Sequence, residues 1–132
     1  MFAIRLLSPT QVSHDGEQLA EIVAGDFRET FACHSDDFTG LEQHWREQLR
    51  ALVEGEPVVI LRHDPRFAWV AYGEGAECYI QQRLSLDGSF VNLLPRVTTN
   101  EEGEQVSEWT TNMAAIRQFL DAESTSLSAC ST

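Results

Sequence analysis

Residues 56–94 read EPVVILRHDPRFAWVAYGEGAECYIQQRLSLDGSFVNLL. β-Branched and aromatic residues gather there in four runs, Pro57–His63, Arg66–Tyr72, Glu77–Leu84 and Ser89–Leu94, parted by residues that favour turns. The connections are Asp64-Pro65, Gly73-Glu74-Gly75 and Asp87-Gly88. Links this short join antiparallel neighbours, because a parallel pair needs a long crossover. The stretch therefore predicts a meander of three or four antiparallel strands. In its second run Phe67, Trp69 and Ala71 point to one side and Ala68, Val70 and Tyr72 to the other. Both sets are apolar, which marks a central strand covered on two faces. In the third run Cys78, Ile80 and Leu84 face one way, and Tyr79, Gln81 and Arg83 face the other, towards water.

Helical periodicity flanks the meander. Before it, Leu41, Trp45, Leu49, Leu52 and Val53 form one apolar stripe, with Glu42, Arg46, Glu47 and Ala51 on the wet side. Thr39 and Glu42 have capping-box spacing, Asp36 and Asp37 suit the positive end of the dipole, and Gly55 ends the helix. After the meander, Asn100 to Gly103 reads as a turn. Thr110 or Thr111 then caps a second helix carrying Trp109, Met113, Ile116 and Leu120, with Phe119 beside them. Towards the N-terminus, Phe2–Leu7 reads as a strand ended by Ser8-Pro9. Asp26–Cys33 alternates as an exposed strand with Phe27 and Phe31 turned inward. Gln11–Gly25 fits either a helical turn or a strand. The expectation is an α+β fold: a twisted antiparallel meander packed with two helices, one domain over residues 1–121 and a disordered Ser/Thr-rich tail over 122–132.

A chain of 132 residues suits one core. Its 9 basic residues, all Arg, stand against 21 acidic ones, for a net charge of −12. That balance opposes binding to nucleic acid or anionic membrane, since phosphate contacts need a basic stripe. It favours solubility and, for a macromolecular partner, a cationic one. The start has no basic region followed by a long apolar core, and no run has the length of a membrane span. Cys33, Cys78 and Cys130 lack CxxC spacing and read as reduced thiols, consistent with a cytoplasmic protein.

Motifs for chemistry are sparse. His14, His34, His44 and His63 stand far apart, and a zinc site from Cys33, His34, His63 and Cys78 would lack paired ligand spacing. The sequence contains no nucleophile elbow, zinc-protease motif, P-loop or dinucleotide fingerprint. Gly73-Glu74-Gly75 precedes a strand, so it lacks the helix N-terminus that cradles phosphate. Arg83 with Tyr79 could stack on a base, against the sign of the overall charge. The reading is of a protein that is not an enzyme and needs no cofactor and no metal.

Several short stretches together carry a resemblance. They are Met1-Phe2, His44-Trp45-Arg46-Glu47-Gln48-Leu49, Phe67–Tyr72 leading into Tyr79-Ile80-Gln81, and Arg96-x-Thr98-x-x-Glu101-x-Gly103 followed by Val106–Thr110 and by Ile116, Phe119 and Leu120. In these the chain resembles immunity proteins of contact-dependent growth inhibition systems, in the group similar to the Enterobacter immunity protein against a ribosomal RNA nuclease toxin. The match runs in order over roughly residues 1–120. It departs in a compact Leu84–Pro95 turn. The resemblance implies a non-catalytic cytoplasmic protein that binds the C-terminal nuclease domain of its sister toxin, on a fold similar to the Whirly single-stranded DNA-binding proteins. It further implies core roles for Trp45, Trp69 and Trp109, and a role for Ser107-Glu108 in positioning the second helix.

Charge points the same way, since a nuclease is cationic where it grips its substrate and its inhibitor gains on-rate from the opposite sign. The expected contacts are acids near loops: Asp36, Asp37, Glu74, Glu77, Glu101, Glu102 and Glu104. Three other readings compete: a phage-type acidic nuclease inhibitor that mimics nucleic acid, a Whirly-like nucleic-acid-binding module, and a small enzyme with an unrecognised site.

Overall fold

Two antiparallel sheets and two α-helices make up the computed structural model, which describes residues 1–7, 18–34, 38–85, 87–99 and 102–130, the side chains of 38, 39, 92 and 123–130 excepted. The first sheet is a meander of β1 (Phe2–Leu6), β2 (Gln18–Ala24) and β3 (Phe27–Cys33). Helix α1 (Phe38–Val53) leads into a second sheet of β4 (Val58–Arg62), β5 (Phe67–Glu74), β6 (Glu77–Leu84) and β7 (Trp109–Asn112), in that order. Helix α2 (Met113–Cys130) follows β7 directly and crosses the 121/122 boundary drawn from the sequence. The architecture is α+β, as expected, with both sheets open. The undecided Gln11–Gly25 segment contributes β2, and its residues up to 17 lie outside the described ones.

The α1 stripe packs as its spacing predicts. Trp45, Leu49 and Leu52 are buried, and Leu41 and Val53 pack against the same core. Ala51 departs from expectation, because it too packs on the core and does not face water. The helix starts at Phe38, which puts Thr39 inside the first turn and not at the cap. The Glu42 carboxylate accordingly serves another strand, with Oε2 accepting the Leu6 N–H at 3.2 Å.

Trp69, at the centre of β5, joins the two sheets. Its ring meets Phe31 edge-on at 5.5 Å and Trp109 at 6.0 Å, and Phe27 stacks on Trp109 at 3.9 Å. Burying rings this size contributes roughly 1.5–3 kcal/mol each. Helix α2 closes the far side, where Phe119 meets Phe2 edge-on at 5.6 Å. Gly25, in the β2–β3 turn at φ 64°, lies so close to β7 that a Cβ there would sit 2.9 Å from the Thr110 carbonyl oxygen. The two sheets thus share one core.

The meander expectation holds for three strands and fails for the fourth. Residues 89–94 form a 3-10 turn over Val91–Leu93 in place of a strand. Asp87 is the cause: its Oδ1 accepts from Ser85 Oγ at 3.0 Å, Ser89 N–H at 3.0 Å and Ser89 Oγ at 2.8 Å. That knot turns the chain back over the sheet, and Phe90, left-handed at φ 61°, drops its ring onto Ala68 and Ile60. The strain of a non-glycine residue at positive φ, on the order of 1 kcal/mol, is offset by burial of that ring. The edge beside β6 goes instead to Trp109–Asn112, paired in register from Glu77↔Asn112 to Ile80↔Trp109. Thr110 and Thr111 are therefore strand residues, and Asn112 caps α2 by accepting the Ala115 N–H at 2.8 Å. Among the described residues no helix is long and apolar enough to cross a membrane.

Candidate functional site

Strand alternation gives the second sheet two faces. Val59, Leu61, Trp69, Ala71, Cys78 and Ile80 look into the shared core. Ile60, Ala68, Val70, Tyr72, Tyr79, Gln81 and Arg83 occupy the outer face. Residues 90–97 cross that outer face as a strap.

The strap is held down at three residues, Leu93, Val97 and Arg96. The Tyr72 hydroxyl donates to the Leu93 carbonyl at 2.6 Å. Gln81 Nε2 donates to the Val97 carbonyl and to Glu108 Oε2, both at 2.8 Å. The Arg96 guanidinium lies 3.9 Å over the Tyr79 ring and grips Glu108 with two bonds, Nε to Oε2 at 2.8 Å and Nη2 to Oε1 at 2.6 Å. A planar fork on a carboxylate is the strong form of an ion pair. It raises the Arg96 pKa and lowers that of Glu108, in each case chiefly through the hydrogen bonding between the two. Burial raises the Tyr72 pKa and keeps its hydroxyl a donor. Gln81, expected to be wet, is fully buried because it satisfies this cluster from below. Glu108 therefore ties the strap to the sheet.

The predicted acids divide three ways. Glu74 and Glu77 face each other across the β5–β6 turn, both exposed, and Glu74 Oε2 lies 3.7 Å from Arg96 Nη1. Glu102 and Glu104 are exposed on the hairpin that continues the strap, closed by the Thr99↔Gln105 bridge and by Val106 N–H donating to the Thr98 carbonyl at 2.9 Å. Asp36, Asp37 and Glu101 lie outside the described residues. Sequence reasoning missed Arg96, Glu108 and Gln81 as one unit. The only hint was that an arginine and two polar residues recur in stretches that carry the resemblance.

His34 and His63 serve the structure. His63 is buried, with Nδ1 3.1 Å from the Ala32 carbonyl, and its own carbonyl accepts the His34 N–H at 2.8 Å. His34 Nδ1 pairs with Asp64 at 2.8 Å. Burial pushes the Cys33 and Cys78 thiols up to about 12, which leaves them unreactive near neutrality. Among the described residues no group of three His, Cys, Asp or Glu side chains could hold a metal ion.

Fold and site together define an α+β protein of two open antiparallel sheets around one core, with a strapped, acid-rimmed outer face. That architecture is similar to a chain of a solved structure described as "CdiA-CT/CdiI toxin and immunity complex from Enterobacter cloacae". The likeness has a TM-score of 0.75 at 22% sequence identity and covers 92% of this chain and 97% of that chain. No protein-family model matches the sequence, and no curated protein does.

Proposed function

We propose that this chain is an immunity protein: it binds the C-terminal toxin domain of its cognate contact-dependent growth inhibition protein and blocks it, with no reaction of its own. The observation that carries the reading is the fold likeness to a toxin–immunity complex, end to end over both chains. Net charge assigns the chain to the immunity side of such a pair. A nuclease at −12 would repel the phosphates it must grip, whereas an inhibitor at −12 is drawn to a basic active site.

On this reading the toxin is a cationic nuclease and the meeting takes place in the cytoplasm, where the toxin's substrate lies. The exposed acids Glu74, Glu77, Glu102 and Glu104 steer the encounter, joined by Asp36, Asp37 and Glu101. No nucleic acid, membrane or cofactor takes part. Co-expression with the C-terminal domain of the toxin encoded directly upstream tests it. The expected result is survival of the cells and co-purification of the two chains. Cell death with no complex recovered overturns the reading.

A further inference from the structure

Six large apolar side chains are exposed among the described residues: Met1, Phe67, Leu84, Val91, Leu94 and Val97. Three of the six sit on the strap. Val91 is 66% exposed, Leu94 45% and Val97 37%. In the 3-10 turn, where Leu94 N–H donates to the Val91 carbonyl, side chains three apart eclipse one another. Phe90 and Leu93 therefore share the face driven into Ala68 and Ile60, while Val91 and Leu94 share the face turned outward. The turn is amphipathic, with its inner half already satisfied by the sheet.

An apolar face on a loose loop would collapse onto the protein. This one is held out by the Tyr72–Leu93, Gln81–Val97 and Arg96–Glu108 contacts. Rigid apolar side chains inside a polar rim are the anatomy of a docking surface, because the ordering cost has been met before binding.

Charge selects the occupant. Glu74 stands 3.7 Å from Arg96, with Glu77 across the turn, and the strap runs on into the hairpin that bears Glu102 and Glu104. The cations beside the strap are already engaged: Arg96 with Glu108 and Tyr79, Arg83 with Gln81 Oε1, and Arg62 over the Phe90 ring at 4.9 Å. A second copy of this chain would bring another −12 to the same rim, and a nucleic acid would bring its phosphates. A protein domain with a basic rim around an apolar depression meets no such penalty.

We infer that the strap over residues 90–97 is where the cationic toxin domain docks, with Val91 and Leu94 as apolar anchors and Val97 beside them. This rests on the immunity reading and adds which face is used and what supplies the affinity. Anchors of this kind govern how long a complex lasts, while rim charges govern how fast it forms.

The test uses the full chain and the C-terminal domain of the toxin encoded directly upstream, in an inactivated form, with binding kinetics measured by surface plasmon resonance. The double variant Val91→Ser/Leu94→Ser alters exposed atoms and keeps the net charge. It is expected to retain the wild-type Tm and to leave the toxin domain at least about tenfold faster, with an on-rate within about twofold. Gln43→Ala, on the exposed side of α1, is expected to bind as wild type does. A double variant with wild-type Kd overturns the docking face and leaves the immunity reading standing. A wild-type chain that ignores the toxin domain overturns both. A chain that dimerises in a manner the double variant abolishes overturns the docking face alone.

Discussion

The Ile60 amide donates to Gln48 Oε1 at 3.3 Å, so a helix side chain serves the edge of β4 where a further strand would otherwise pair. The next outward group along that edge is treated alike. Arg62 N–H donates to His44 Nε2 at 3.3 Å, and the Arg62 carbonyl accepts from Trp45 Nε1 at 2.7 Å. Three residues of one helix thereby close a strand edge that would template aggregation if left open. Gln48→Leu keeps the side-chain bulk and strands the part-buried Ile60 N–H. It is expected to cost about 1–3 kcal/mol in chemical denaturation and to raise self-association in light scattering. Unchanged stability would mean that water serves that amide equally well.

His44 and His63 make stability depend on mild acid. Burial lowers the His44 pKa first, with Arg62 adding to it. Burial likewise lowers that of His63, against the opposing pull of the Ala32 carbonyl and Asp64. In both, the folded chain binds a proton less readily than the unfolded one, so the unfolded state takes up more protons as pH falls below the ordinary imidazole value of about 6.5. Stability is then full above that value and declines below it, towards the depressed folded pKa values. A protonated His44 also ceases to accept from Arg62. Unfolding free energy is expected to fall steadily from about pH 7 to about pH 5.5, and His44→Gln, which retains an acceptor, should flatten the slope. A pH-independent free energy across that window would refute the assignment.

Trp45 and Trp69 are fully buried, and Trp69 touches the rings of Phe27, Phe31 and Trp109. Truncating either to Ala is expected to destabilise by about 3–5 kcal/mol in denaturant titrations. For Trp45 the loss includes its bond to the Arg62 carbonyl. Wild-type stability with weakened toxin binding would move these rings from the core to the interface.

What could be read from the sequence follows from how local each signal is. The α1 stripe, the three central strands and the tryptophan core depend on periodicity and residue volume, which a linear reading captures. The strand at Trp109–Asn112 looked like a helix cap because Thr110 and Thr111 precede an apolar helical repeat. Only the vacant edge of β6, far away in sequence, makes them a strand. Residues 89–94 failed for the converse reason: Phe90, Val91 and Leu93 have strand-like composition, but the Asp87 side chain wins the competition for the backbone. Of the acids chosen as contacts, Glu74 and Glu77 do meet across a turn. The Arg96–Glu108–Gln81 unit was invisible, since its members lie on three segments and a polar residue at an alternating outer position reads as solvated.

Gln81 holds that unit together and can be tested alone. Gln81→Leu fits the buried volume and deletes the donors to the Val97 carbonyl and Glu108. The partner groups lose their bonds, at an expected cost of about 1–3 kcal/mol. Loss of a positioning residue carries a second signature: the Arg96 Nε–H, bonded to Glu108, is expected to exchange slowly with solvent in NMR spectra of the wild type and fast in the variant, while the core amides stay protected in both. A variant that keeps slow Arg96 exchange would show that the Tyr79 ring and Glu108 suffice to hold the strap.

Steering by exposed acids has a signature in salt. Glu74, Glu77, Glu102 and Glu104 are all exposed, so their field reaches a partner before contact and decays over about 10 Å at 0.1 M ionic strength. Added salt is expected to lower the on-rate for the toxin domain about tenfold or more between low and high ionic strength, with the off-rate changing little. Replacing all four by Gln should reproduce the slow on-rate at low salt and remove most of the salt dependence. Because Glu74 already faces Arg96 at 3.7 Å, part of its charge is balanced locally, and Glu77→Gln is expected to slow association more than Glu74→Gln. An on-rate indifferent to salt would take the acids out of the encounter and leave the apolar strap as the whole of the recognition surface.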